Sequence, residues 1–234
     1  MRTYSRLDTA HMSVTSSPDH FAVRFGRPRI REGTSDAEVA IFAATERLLE
    51  AIPFSDISVA QIIKDAGISR ATFYHYFSSK LSVIAGLLAR IMNEMFETAQ
   101  PFLRHEGALN PADSLRISMR SALTLWSKHR IVLRIVMENW GSDQELGALW
   151  FGIMSRFADA VSAEIDFERD AGSLPPGPPS RQLAAALIWS TERCLYVAGL
   201  GVDDTFTGEE AVVDTLVTLW VGAIQTGLST EPQA

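Results

Sequence analysis

Apolar residues recur at three- and four-residue intervals along most of the chain, the spacing of amphipathic helices. Ser35-Asp-Ala-Glu38 pairs a serine that can cap a helix start with a glutamate three residues on. Ile41, Phe42, Leu48, Leu49 and Ile52 follow at helical spacing, and Pro53 ends that helix. Ser58-Val-Ala-Gln61 repeats the capping pattern and opens a short helix through Ala66. Gly67 comes next, free to take the positive φ that closes a helix. Ser69 caps a third helix reaching about Phe77, Ser78 and Ser79 interrupt it, and a long helix runs from Lys80 to about Ala99, before Pro101. The spacing predicts further helices over roughly 112–128, 130–139, 143–170, 180–201 and 208–228, with breaks at 107–111, Gly141, SLPPGPPS (173–180), Gly201 and Gly208. No stretch sustains period-two alternation, so no strand is predicted. The fold class is all-α: about nine helices, three short ones in front of a helical bundle.

The same pattern divides the chain into a leader and basic arm (1–34), a helix-turn-helix domain (35–80), a larger helical domain (81–228) and a tail (229–234). Residues 1–20 lack helical periodicity and are predicted to be disordered, with Met12 an alternative start. FAVRFGRPRIR, residues 21–31, holds four arginines and no acid, and its Gly26 and Pro28 argue against helix. It is predicted to be a flexible basic arm that could enter a minor groove.

Composition narrows the class. Of 234 residues 47% are hydrophobic, enough for a full core, and 21% are charged, which excludes a largely disordered chain. The net charge of −7 hides a division. Residues 21–90 carry nine basic and seven acidic side chains, a net of +2; residues 91–234 carry ten and nineteen, a net of −9. A polyanion would be drawn to the front of the molecule despite the total. The single cysteine, Cys194, cannot make an internal disulfide, which suits a reducing cytoplasm. No apolar run is long enough to span a bilayer, so no membrane partner is expected.

The stretch AGISRATFYHYFSSK, residues 66–80, crowds four rings and a histidine between an arginine and a lysine. Short helix, glycine turn, short helix is the helix-turn-helix arrangement, whose second helix can lie in a major groove. On a helix beginning near Arg70, Phe73 and Phe77 should face inward with Ile57, Val59, Ile62, Ile63 and Ile68. Arg70, Ala71, Thr72, Tyr74 and His75 should then face outward. Arginine offers a fork to guanine or phosphate, hydroxyls reach phosphate oxygens, and alanine touches a thymine methyl. Lys80, at the start of the next helix, is placed for a phosphate. From the pattern alone a helical hairpin with a mildly basic face is the competing reading.

The run FSDISVAQIIKDAGISRATFYHYFSSK resembles the DNA-binding domain of TetR-type transcriptional regulators, in its capped helix, A-G-I-S turn, T-F-Y-H-Y-F helix and following lysine. AEIDFERDAG, STERCLYVAG and VVDTLVTLWVGAI extend the resemblance into the ligand domain of some repressors of that family. The resemblance implies a homodimer that binds operator DNA and releases it when a small molecule occupies the back domain. Thr72, Tyr74, His75 and Lys80 match positions that meet the DNA backbone in such regulators. Arg70 and Ala71 fall where base or backbone contact is open to them, and Tyr76 and Phe77 match positions that orient the helix.

In the back domain Leu115, Met119 and Trp126 share a broad helical face, and Trp150, Met154 and Phe157 form one stripe. Thr191, Glu192 and Tyr196 lie on the eighth predicted helix and Trp220 on the last. Such stripes are more often core than pocket. The resemblance implies instead that Leu115, Trp126, Trp150, Met154, Phe157, Thr191, Glu192, Tyr196 and Trp220 line a long apolar ligand tunnel. The chain departs from the pattern at Ile188 and Thr191, where amides are expected, and at Ala122, which replaces an aromatic. Thr191 is the candidate to hydrogen-bond an effector, and Glu192 either joins it or pairs with an arginine such as Arg193. Leu183, Leu187, Leu195, Val212, Leu216, Leu219 and Ala223, on the last two helices, are expected to serve both dimer and core.

No His-x-x-x-His or Cys-x-x-Cys spacing, nucleophile elbow or phosphate-binding loop is present, so no metal, cofactor or enzymatic chemistry is expected. The expected function is a dimeric, ligand-responsive DNA-binding repressor in the cytoplasm. An activator, or a helical carrier of apolar ligands, remains the alternative.

Overall fold

The computed structural model describes residues 35–99, 111–200 and 208–226, and the basic arm and leader lie outside them. Nine α-helices and no strand occur among the described residues. They are α1 (Asp36–Ala51), α2 (Val59–Ala66), α3 (Arg70–Tyr76), α4 (Lys80–Thr98) and α5 (Pro111–Lys128), then α6 (Arg130–Asn139), α7 (Gln144–Asp170), α8 (Ser180–Leu200) and α9 (Glu209–Gln225). A one-turn 3-10 helix, Phe54–Asp56, links α1 to α2. None of these helices is long and apolar enough to cross a membrane.

Local chemistry sets the ends of the front helices. Ser58 accepts from the Gln61 N–H while the Gln61 side chain accepts from the Ser58 N–H, closing the predicted capping box of α2. Such a cap contributes about 1 kcal/mol. Gly67 ends α2 at φ 66°, where a side chain would be strained. Ser69 caps α3 by accepting from the Thr72 N–H. The serines that interrupt the sequence pattern have the same use: Ser79 and Ser82 form a reciprocal box at the start of α4.

The front core forms where α1, α2, α3 and α4 meet. Ile41, Phe42, Ile57, Ile62, Phe73 and Phe77 are buried there, with Val83, Ile84 and Leu87 from α4. Phe42 and Phe77 meet edge to face at 5.4 Å. A side chain on Gly86 would come within 2.9 Å of the Phe42 ring and 3.2 Å of Phe77, so α4 lies close against α1 because it carries none there. α4 is thereby part of the same core as α3.

The back helices form a bundle whose order is fixed by pairs across it. Arg116 and Arg120 on α5 bond to Asp214 and Glu210 on α9, so α5 and α9 run antiparallel. Arg181 on α8 bonds to Asp159 at 2.6 Å and Trp189 meets Phe151 at 5.6 Å, so α7 and α8 are also antiparallel. Leu187, Leu195, Val212 and Leu216, four of the residues expected to serve both core and dimer, are buried within the chain. Leu219 is exposed, and Leu183 and Ala223 are half-buried.

Candidate functional site

Two regions carry the sequence-predicted residues. On α3 the apolar and polar sides separate as its periodicity requires. Phe73 is fully buried, while Arg70, Ala71, Tyr74 and His75 are exposed and Thr72 is half-buried. The Arg70 guanidinium lies 5.2 Å from the Tyr74 ring centre, a cation–π contact that presents both on one face. The Thr72 hydroxyl shares a 2.8 Å hydrogen bond with that of Ser69, so the residue that caps the helix also orients one of its predicted contacts. The His75 and Tyr76 rings meet at 4.9 Å, and Tyr76 is half-buried. This face offers a guanidinium, hydroxyls, an imidazole and a methyl within two turns, a set suited to phosphate and base edges.

Lys80 departs from its expected position for a phosphate. Its ammonium donates to the carbonyls of Phe54 at 2.7 Å, Ser55 at 3.1 Å and Ile57 at 2.7 Å, and lies 4.6 Å from the centre of the Phe54 ring. An ammonium has three protons, and here each has an acceptor. The cause is the 3-10 turn, which turns several carbonyls toward the start of α4. In this arrangement Lys80 ties the α1–α2 corner to α4 instead of reaching outward. Beside this corner a cleft of about 720 Å³ opens between the end of α1 and α6, with Leu49, Ile52, Phe54, Ile131 and Ile135 among its walls. None of the predicted ligand residues lines it.

In the back bundle Leu115, Met119, Trp126, Trp150, Met154, Thr191, Glu192 and Trp220 are buried, and Phe157 and Tyr196 are half-buried. Thr191, the candidate to bond an effector, already accepts a 2.8 Å hydrogen bond from the Trp220 indole N–H. Glu192 is 4% exposed. Its Oε2 lies 3.7 Å from the guanidinium of Arg193, which is 54% exposed, and its Oε1 has no hydrogen-bond partner among the described residues. Burial pushes the Glu192 carboxyl above the usual carboxylate range, and the Arg193 charge offsets only part of that. Burial, then the nearby Glu192, raise the Cys194 thiol, the opposite of what a reactive thiol needs.

Two groups that the sequence did not single out belong here. Ser118, next to Met119, is buried, its hydroxyl has no hydrogen-bond partner among the described residues, and its place on the Leu115 face was legible in the helical period. Phe96 of α4 meets Phe157 edge to face at 5.3 Å, and the Arg156 guanidinium lies 3.7 Å from the centre of the Phe96 ring while donating to Asn93 at 2.8 Å. α4 therefore touches Phe157, a predicted effector residue, at one end and the core beneath α3 at the other.

Comparison with known proteins finds a family model matching in each of the two regions. Residues 41–87 match the family model described as bacterial regulatory proteins, tetR family. Residues 115–226 match that of the transcriptional regulator EthR, C-terminal domain. The chain is 37% identical over 216 residues to the HTH-type transcriptional regulator EthR of Mycobacterium tuberculosis, covering 90% of this chain and 97% of that relative. To the EthR of Mycolicibacterium smegmatis it is 32% identical over 202 residues, covering 85% and 91%. Among solved structures, a TetR transcription regulator from Haloarcula marismortui aligns with a TM-score of 0.66 at 16% identity, over 82% of this chain and 100% of that one. The fatty acid degradation regulator FadR from Bacillus halodurans aligns with a TM-score of 0.64 at 14% identity, over 82% and 97%. At such identities these two structures speak for the fold alone.

Proposed function

The chain belongs to the TetR family of bacterial transcriptional regulators, with a C-terminal domain of the EthR kind, and from that premise we propose how it holds and releases DNA. Two copies place α3 in successive major grooves of a palindromic operator, about 34–36 Å apart or a multiple of that. Arg70 and Ala71 face base edges, and Thr72, Tyr74 and His75 settle on the backbone. The copies join through α8 and α9, where Leu219 remains exposed. An apolar small molecule enters among α5, α7, α8 and α9, and the form of the bundle that holds it moves α4. The recognition helices then no longer fit the two grooves, and repression lifts. The effector acts by binding the released form more tightly than the bound one. The setting is the cytoplasm.

The observation that carries this reading is the double attachment of α4. Phe96 packs on Phe157, a predicted effector residue, and Gly86 seats the same helix against Phe42 and Phe77 beneath the recognition helix. A displacement of Phe157 thus has a packed route to α3.

A gel shift of the DNA upstream of the chain's own gene tests the reading, run at several salt concentrations with and without hydrophobic extracts. Binding that weakens steeply with salt and is reversed by an extract component supports it. A chain that binds apolar compounds but retards no DNA is a ligand carrier, and the regulator mechanism fails.

A further inference from the structure

The cleft beside the Lys80 corner has no part in the mechanism proposed above. It holds about 720 Å³ and takes its walls from two sides. The end of α1, the 3-10 turn and Lys80 belong to the front of the chain, and α6 belongs to the back bundle. Leu49, Ile52, Phe54, Ile131 and Ile135 give it an apolar lining. Leu49 and Ile135 are buried, while Ile52, Phe54 and Ile131 are half-buried and keep surface that an occupant could cover.

The charged groups of the cleft are unevenly matched. Glu50, Lys80, Arg134 and Glu138 line it, two acids and two bases. The Lys80 ammonium already has the carbonyls of Phe54, Ser55 and Ile57 for its three protons. Arg134 lies 3.7 Å from Glu138, one turn along the same helix. Glu50 has no ion pair among the described residues.

The helix ends tip the balance further. α1 ends at Ala51 and α6 at Asn139, and both residues line the cleft. A helix C-terminus carries roughly half a negative charge, which a lysine or arginine in the last turn offsets. Neither last turn holds a basic residue, and Glu50 and Glu138 stand there instead. Two negative helix ends and two exposed carboxylates thus border one cavity. Lys80, drawn onto carbonyls at its edge, shows that a cation is favoured there.

We infer that this cleft is a second ligand site, separate from the effector site of the back bundle, and that its ligand is an amphiphilic organic cation. An apolar body covers Ile52, Phe54 and Ile131, and an ammonium group lies toward Glu50 and the ends of α1 and α6. A carboxylate would meet charge of its own sign there, and a neutral molecule would gain the apolar burial alone. The occupant touches both the corner packed against α4 and the back bundle.

Three probes with one ring system test this: 1-pyrenemethylamine, 1-pyrenemethanol and 1-pyrenecarboxylate. Each is titrated into the full-length protein at pH 7 in low salt and followed by fluorescence anisotropy. The ammonium is expected to bind at least about fivefold tighter than the alcohol, and the carboxylate more weakly than the alcohol. In the double variant Glu50→Gln, Glu138→Gln the ammonium and the alcohol should come within about twofold of each other. Salt at about 0.5 M should narrow the gap in the unaltered protein, because the mouth of the cleft is exposed. Equal binding of ammonium and alcohol overturns the inference. The carboxylate binding tightest overturns it too, giving the cleft to Arg134 and Lys80. A gap that persists in the variant places the cation elsewhere and removes the site, and so does failure of all three to bind. The series on the unaltered protein decides the preferred charge even if the variant does not fold.

Discussion

The hydroxyl oxygen of Thr191 accepts a hydrogen bond from the indole Nε1 of Trp220 at 2.8 Å, and the bond joins α8 to α9 inside the back bundle. Both residues were expected to line an effector site. The bond gives the Thr191 hydroxyl a partner inside the fold, whereas its neighbour Glu192 pairs with Arg193 through Oε2 and its Oε1 has no partner among the described residues.

Replacing Thr191 by valine keeps the branched shape and removes the acceptor. The expected loss is about 1–3 kcal/mol, since a buried indole N–H is deprived of its partner. Urea unfolding at fixed protein concentration reads it. A loss below about 0.5 kcal/mol would mean that the indole finds another acceptor.

Lys80→Met should lower stability by about 1–3 kcal/mol, because the carbonyls of Phe54, Ser55 and Ile57 lose their common donor. Operator affinity should fall through the displaced α1–α2 corner. The slope of log affinity against log salt should stay as in the unaltered protein. A slope reduced by about 1 would instead place the ammonium on a phosphate in the complex.

Tyr74→Ala should weaken operators of every sequence about equally, as loss of a backbone contact does. Arg70→Ala should change the ranking of operator variants, at a cost of about 1–3 kcal/mol at one base position. Binding to a small panel of single-base operator variants separates the two. Identical profiles would remove Arg70 from base readout.

Glu192 predicts a pH dependence of definite sign. Its folded pKa is raised above the ordinary value of 4.5 by burial. Between 4.5 and the folded value the native state holds a proton that the unfolded chain has released, so stability falls as pH rises through that window. Glu192→Gln should remove this contribution and leave the protein at least as stable at neutral pH. The check is urea unfolding of both proteins from pH 5 to pH 8. A variant that loses more stability as pH rises than the unaltered protein would contradict the assignment.

Phe96→Leu should uncouple the two regions. It thins the contact with Phe157 without touching Glu192 or α3. Effector affinity should stay within about threefold while the effector concentration needed to release DNA rises about tenfold or more, a coupling change of about 1–2 kcal/mol. Equal effector response in both proteins would place the route elsewhere.

The helices themselves were legible in the sequence, because their causes are local. Apolar residues three and four apart mark a buried stripe, and Ser58, Gly67 and Ser69 carry cap chemistry that acts within a few residues. The outward face of α3 follows from the same period once Phe73 is taken as buried. Ser118 could have been read from the Leu115 face in the same way.

Partners across the fold were not legible. Lys80 looks like a surface cation, and only the 3-10 turn, 23 to 26 residues back in the chain, turns three carbonyls toward it. Thr191 looks like a free hydroxyl until α9 brings Trp220 against it from 29 residues away. The sequence by itself determined where the helices begin and end and which face of each is apolar, since those depend on neighbours within a turn. Tertiary structure alone decided which polar groups find partners among the described residues and which do not, since a hydrogen bond depends on what packing brings within about 3 Å.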